Sequence, residues 1–177
     1  MEEQARELFP GVRLTTIRTD ELRSGCFSIH LLRPLRAEDA SRNALLPFVL
    51  RRGTRTLPDE ERIAAALDRF CGSSLEPDLL QMGETMSIGF RASFPEDRFL
   101  PGGEDCLAGI VALSGEMLLD PATRGGLLRD DYVRLEGQRL HDWIRTETES
   151  VRGGAIKRAR ELMFAGEAFG VWPLGEA

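Results

Sequence analysis

Metal and nucleophile chemistry in this 177-residue sequence would have to come from two histidines, His30 and His141, and three cysteines, Cys26, Cys71 and Cys106. A zinc site needs two imidazoles one helical turn apart or a close cysteine pair, and neither spacing occurs. His30 shares the more polar face of an expected strand with Ser28 and has no acid two residues away to orient it. It reads as a structural or surface histidine. His141 is followed by Asp142 and lies five residues after Glu136. Five helical residues turn about 140° away, so Glu136 and His141 cannot share a face. Cys71 next to Phe70 and Cys106 next to Leu107 read as small buried hydrophobes. Asp142, Arg145, Glu147 and Glu149 make a charged, solvated helix end. The glycine pairs at 102–103, 125–126 and 153–154 fit neither a dinucleotide nor a phosphate-loop pattern and read as loop punctuation. No catalytic constellation assembles from residue types alone.

Composition narrows the classes further. Lys and Arg number 23 against 29 Asp and Glu, a formal charge of −6, so neither nucleic acid nor an anionic membrane is an expected partner. No apolar run is long enough to span a bilayer, and MEEQARELFPGVRLT lacks a secretory pattern. An odd number of widely spaced cysteines suits a reducing compartment, so a cytoplasmic location is expected. Residues 1–177 read as a single domain able to bury a core.

The elements follow from periodicity. After a polar lead-in, strands are expected over about Gly11–Thr19 and Cys26–Leu32, the second ended by Pro34. A helix then runs from Glu38-Asp39 to about Arg52, with Pro47 inside it, where a kink or a cost of about 3 kcal/mol is expected. A clearer helix opens at Pro58-Asp59 and stops at Gly72. In Thr85–Phe94, Met86, Ile88, Phe90, Ala92 and Phe94 alternate with polar or small residues, the pattern of a half-buried strand. Leu75–Met82 should pair with it across Gly83-Glu84, with Pro77 making that partner an edge or irregular strand. Three helices complete the chain, over Leu107–Asp120, Asp130–Glu149 and Ala155–Ala165, with Gly153-Gly154 breaking the chain before the last. Hairpins interleaved with helix pairs predict an α+β fold, an antiparallel-rich sheet with helices packed on one face.

The stretch NALLPFVLRRGTRTLP, from Asn43 to Pro58, resembles the metal-site helix of the insulinase/pitrilysin-type (M16) peptidases. That family carries an inverted zinc motif, HxxEH, followed by a basic residue, Gly-Thr and a short turn to Pro, and Arg52-Gly53-Thr54 and Pro58 fit that frame. LDRFCGSSLE, the long strand to Phe94, LSGEMLLDP, the Val133–Ile144 helix and GEAFGVWPLG continue the likeness over nearly the whole chain. The resemblance implies an N-terminal M16-type domain, a fragment of a longer chain, with the fold type of LuxS and the mitochondrial processing peptidase. It also shows what is missing. Ala44 and Phe48 stand where the zinc histidines would be, Pro47 where the catalytic glutamate would be, and Trp143 where the distant carboxylate falls when counted from Glu136. Asp142 and Glu147 lie near that last position but have no histidines to work with.

No metal, no cofactor and no catalytic residue are therefore expected, and Phe48 and Trp143 should lie inside a filled former metal pocket. The segments LRP…NALLPFVLRRGTR and DDYVRLEGQRL look closest to a zinc-less bacterial branch associated with elongation factor P modification. That resemblance implies a non-catalytic domain that binds a zinc-bearing M16 relative or an extended peptide. The alternative is a share in a composite zinc metallopeptidase with a partner chain. Phe169–Gly175, apolar and without a later element to cover it, suggests a homodimer of the fragment.

Overall fold

The computed structural model describes residues 1–100 and 105–176, so the glycine pair at 102–103 lies outside the described residues. The chain opens with a hairpin. Strand β1 (Glu2–Phe9) pairs antiparallel with β2 (Val12–Arg18) across Pro10-Gly11, where Gly11 takes a φ of 79°. The expected polar lead-in is thus a strand. Its charged side chains concealed it, because nearly every residue of the hairpin is exposed and no buried face imposes an alternation.

Strands β3 (Ser24–Pro34), β4 (Ser74–Met82) and β5 (Thr85–Pro95) form the main sheet in the order β3-β5-β4, antiparallel throughout. Gly83, with a φ of 60°, closes the β4–β5 turn where expected, and β4 with its Pro77 lies at an edge. Helix α1 (Ala40–Leu50) runs unbroken through Pro47. Helix α2 (Glu60–Arg69) starts at Asp59, whose carboxylate accepts the Arg62 N–H at 2.9 Å. Helix α3 (Cys106–Leu119) is followed by a small hairpin, β6 (Thr123–Arg124) with β7 (Leu127–Leu128), turning at Gly125-Gly126.

Helix α4 (Asp130–Glu149) and helix α5 (Val151–Met163) end the regular structure. The expected break at Gly153-Gly154 is absent. Ser150 caps α5 by accepting the Gly153 N–H at 3.0 Å, and both glycines lie in the first helical turns. A Cβ at Gly153 would sit 2.1 Å from the Glu147 carbonyl oxygen, and one at Gly154 2.6 Å from that of Thr148. The glycines there serve a close helix–helix junction.

The alternation read in β5 decides the architecture. Met86, Ile88, Phe90, Ala92 and Phe94 are buried, with the helices on their side of the sheet. Phe90, Leu75, Ile63, Cys106, Ile110 and Met117 share one core cluster of sheet, α2 and α3. Leu35, Ala40, Ala44, Met86, Ile88, Leu140, Ile144 and Leu174 form a second, which joins α1 to α4 and the C-terminal segment. Leu174 is only 5% exposed, and Val171 and Trp172 pack against the same cluster. The C-terminal apolar segment therefore packs on the chain's own core, contrary to the expectation that no other part of the chain covers it.

Candidate functional site

α1 and α4 pack against each other, and their sequences decide what meets there. Ala44 and Phe48 are one turn apart on α1, and Leu140, Trp143 and Ile144 approach from α4. Ala44 is wholly buried in the cluster holding Leu140 and Ile144. Phe48 meets Trp143 edge to face, ring centroids 6.1 Å apart and planes at 79°. Pro47 turns instead to the sheet, where with Leu31, Ile88 and Phe90 it lines a void of about 10 Å³. None of these four side chains offers a lone pair to a cation, since the indole N–H only donates.

The expectation that Phe48 and Trp143 both lie inside a filled pocket is corrected. Phe48 is half-buried and Trp143 is 46% exposed. The buried position on α4 is Ile144, so the preceding residue is rotated about 100° toward the surface. The aromatic pair caps the apolar contact from outside.

One turn further along, a charged cluster ties three helices. Arg52 Nε donates to Glu136 Oε1 at 2.5 Å, Arg52 Nη1 to Glu60 Oε2 at 2.6 Å, and Arg139 Nη1 to Glu136 Oε1 at 3.2 Å. Arg52 Nη2 lies against the same Glu136 oxygen without hydrogen-bond alignment. With its side chain 6% exposed and gripped by two guanidiniums, Glu136 works as a structural anion and does not meet His141. His141 is on the surface, its Nδ1 3.6 Å from Asp142. Arg145 and Glu149 pair in solvent at 2.9 Å, as expected of that helix end.

His30 is less isolated than its sequence neighbours imply. On the sheet face away from the helices, His30 and Asp78 both stand opposite Gly89 of β5, one from each flanking strand. Without a side chain at Gly89 the two lean together, His30 Nε2 3.5 Å from Asp78 Oδ2. Ser87 Oγ lies 3.1 Å from His30 Nδ1, and Arg91 holds Asp78 through Nε at 3.0 Å and Nη2 at 2.9 Å. Burial lowers the His30 pKa, Asp78 works against that, and Arg91 adds to the lowering. A serine, histidine and aspartate in a row suggest acyl transfer, but Ser87 is 3% exposed and Asp78 is already engaged by Arg91. The row braces the sheet.

Cys106 is buried as expected, while Cys26 and Cys71 are exposed, Cys71 at the end of α2 with a φ of 56°. That corrects the reading of Cys71 as a small buried hydrophobe. Among the described residues, no three His, Cys, Asp or Glu side chains come together to hold a metal ion. No helix among them is long and apolar enough to cross a membrane.

No family model matches the chain. It is 29% identical over 134 residues to a Bacillus subtilis (strain 168) protein named "Probable inactive metalloprotease YmfF", a match covering 76% of this chain and 32% of that one. Among solved structures, it superposes on a conserved protein from Enterococcus faecalis V583 with a TM-score of 0.91 at 17% identity, over 98% of this chain and 41% of that one. A peptidase M16 inactive domain from Pseudomonas fluorescens matches with a TM-score of 0.69 at 11% identity, over 100% of this chain and 39% of that one. The chain thus spans a third to two fifths of these relatives. Its architecture, an antiparallel sheet with helices packed on one face, is the fold of the M16-type peptidase structures.

Proposed function

We propose that this chain is a non-catalytic M16-type domain that has exchanged the zinc centre for an apolar helix–helix contact and works by binding. One observation carries the reading. Ala44, Phe48 and Trp143, the positions assigned by resemblance to the three metal ligands, come together where α1 meets α4, and none of them can ligate. Pro47, assigned to the base, faces the sheet. Such a site cannot supply the polarising metal or the activated water of zinc hydrolysis. The names of the Bacillus and Pseudomonas relatives, both described as inactive, support the same direction.

Within this proposal the ligand is an extended peptide or a zinc-bearing M16 relative, met in the cytoplasm, and the branch is the one associated with elongation factor P modification. Strand β3 supports the peptide arm. It is an edge of the sheet, and its one proline, Pro34, falls at the very end. Its main chain can add a strand through backbone hydrogen bonds alone. Incubation of the chain with a mixture of unstructured peptides, followed by mass spectrometry, is the test. The chain alone should leave every peptide intact. Zinc-dependent cleavage by the chain alone overturns the proposal, and cleavage appearing only when a zinc-bearing M16 chain is added establishes the composite peptidase instead.

A further inference from the structure

The main sheet ends unpaired at β3. Hydrogen bonds at its two ends, Leu35 N–H to the Glu84 carbonyl at 2.8 Å and Glu96 N–H to the Arg23 carbonyl at 3.1 Å, fix the phase of the β3–β5 ladder. Antiparallel strands exchange backbone bonds at every second residue, so Gly25, Phe27, Ile29, Leu31 and Arg33 bond to β5. Cys26, Ser28, His30 and Leu32 therefore point their N–H and C=O groups away from the sheet, and among the described residues no strand meets them. Helix α3 lies over this side of the sheet. Its Gly109 is pressed against Phe70 at the C-cap of α2, where a Cβ would come within 2.4 Å of the ring. At about 100° per residue, Leu107, Val111 and Leu118 lie on the opposite flank. That flank is uncovered: Leu107 and Val111 are each 43% exposed, and Leu118 lines the same void as Leu31, itself 45% exposed.

We infer that the β3 edge and the α3 flank beside it dock a second copy of this chain, β3 against β3, about a two-fold axis normal to the sheet at Ile29. Two deficits side by side select this occupant. An extended peptide added to β3 would leave the α3 stripe bare, and a lone helix on α3 would leave the outward N–H and C=O groups of β3 unpaired. A folded body with a free strand edge under an apolar helix flank meets both needs, and this chain is such a body. Ile29 is the midpoint of the 11-residue strand, so that centre gives the longest overlap. It sets Ser28 opposite the second copy's His30 and Cys26 opposite the second copy's Leu32, all with outward backbone groups that can exchange hydrogen bonds. On the helix side Ile29 meets its own counterpart and Phe27 meets the second copy's Leu31, which continues the apolar row. Arg33 is the only Arg, Lys, Asp or Glu of β3 and falls opposite Gly25, so no like charges meet across the strands. The axis also turns the charge-free α3 stripes toward each other on one face of a continuous sheet, the isologous arrangement of a two-fold dimer.

The inference deepens the proposed function by naming what joins the β3 edge, and rests on it only in taking that edge as a binding surface. Sedimentation equilibrium over a wide concentration range is the test, with amide hydrogen exchange followed by NMR at the two extremes. The wild type should dimerise, and the amides of Cys26, Ser28, His30 and Leu32 should exchange at least about tenfold more slowly at high concentration. Those of Phe27, Ile29 and Leu31, already bonded to β5, should change far less. Val111→Glu, at an exposed position, should weaken the dimer at least about tenfold, and Ser28→Pro, which removes an outward N–H, should do the same. Circular dichroism confirms folding, and Val111→Glu carries the test if Ser28→Pro does not fold. A strictly monomeric wild type, a dimer whose four outward amides stay unprotected, or one indifferent to Val111→Glu overturns the inference. A monomer that takes up an unstructured peptide along β3 also overturns it while upholding the proposed function. Zinc-dependent cleavage by the chain alone does the reverse.

Discussion

At the residue level, the α1–α4 contact divides into a buried part and a surface part, and the energies divide with it. Phe48 and Trp143 should couple by about 0.5–1.5 kcal/mol in a double-mutant cycle of Phe48→Leu and Trp143→Leu, read by urea unfolding. A coupling near zero would make them mere neighbours. Glu136 is a different case, because its loss leaves Arg52, whose side chain is 12% exposed, with only the half-exposed Glu60 as a carboxylate partner. Glu136→Ala should cost about 3–5 kcal/mol, and pairing Glu136→Leu with Arg52→Met should recover most of it, again by urea unfolding. His30 provides the pH dependence. Its folded pKa lies below the ordinary 6.5, so between those values the unfolded chain binds the extra proton and stability falls on acidification. From about pH 7.5 to about pH 5.5 the wild type should lose more melting temperature than His30→Gln. An equal loss would show that the cluster of His30, Ser87, Asp78 and Arg91 carries no such linkage. The acid beside His30 was not legible in the sequence, since Asp78 arrives through strand register across Gly89 and not through local spacing. The isolation of His141 from Glu136 was legible, because helical geometry alone decides it.

Among the elements, those with a buried face were readable and those without one were not. β5 alternates strictly, and its five apolar positions are buried as the pattern predicts, although Ser87 and Gly89 on the other face are buried as well. α2 announces itself by Asp59 at its start and Gly72 beyond its end. β1 has no buried side and reads as a tail, and the sequence reading starts α5 about one turn late because glycine pairs usually punctuate. What the pair does at 153–154 depends on the neighbouring end of α4, a tertiary fact. Gly153→Ala should therefore destabilise the protein by about 1–3 kcal/mol, although alanine is the better helix former. An unchanged or higher melting temperature would mean that the α4–α5 junction has room for a side chain.

Over the whole molecule, two apolar clusters hold the described elements together without a metal. One core lies between the sheet, α2 and α3, and the other runs from the sheet through Ala44 to Leu140, Ile144 and Leu174. On the proposed reading, Ala44, Phe48 and Trp143 stand where two imidazoles and a carboxylate would be, so an apolar contact that needs no cation takes the place of a polar centre that needs one. On the same reading, histidines at two of these positions should not suffice, since Pro47 would still stand at the base position: Ala44→His with Phe48→His should show no zinc-dependent peptide cleavage. The most direct test is elemental analysis of the purified wild-type chain after equilibration with zinc and exhaustive dialysis. The expected result is zinc far below one equivalent. Retention of about one zinc per chain would contradict the reading of this domain as an M16-type fold without a metal centre.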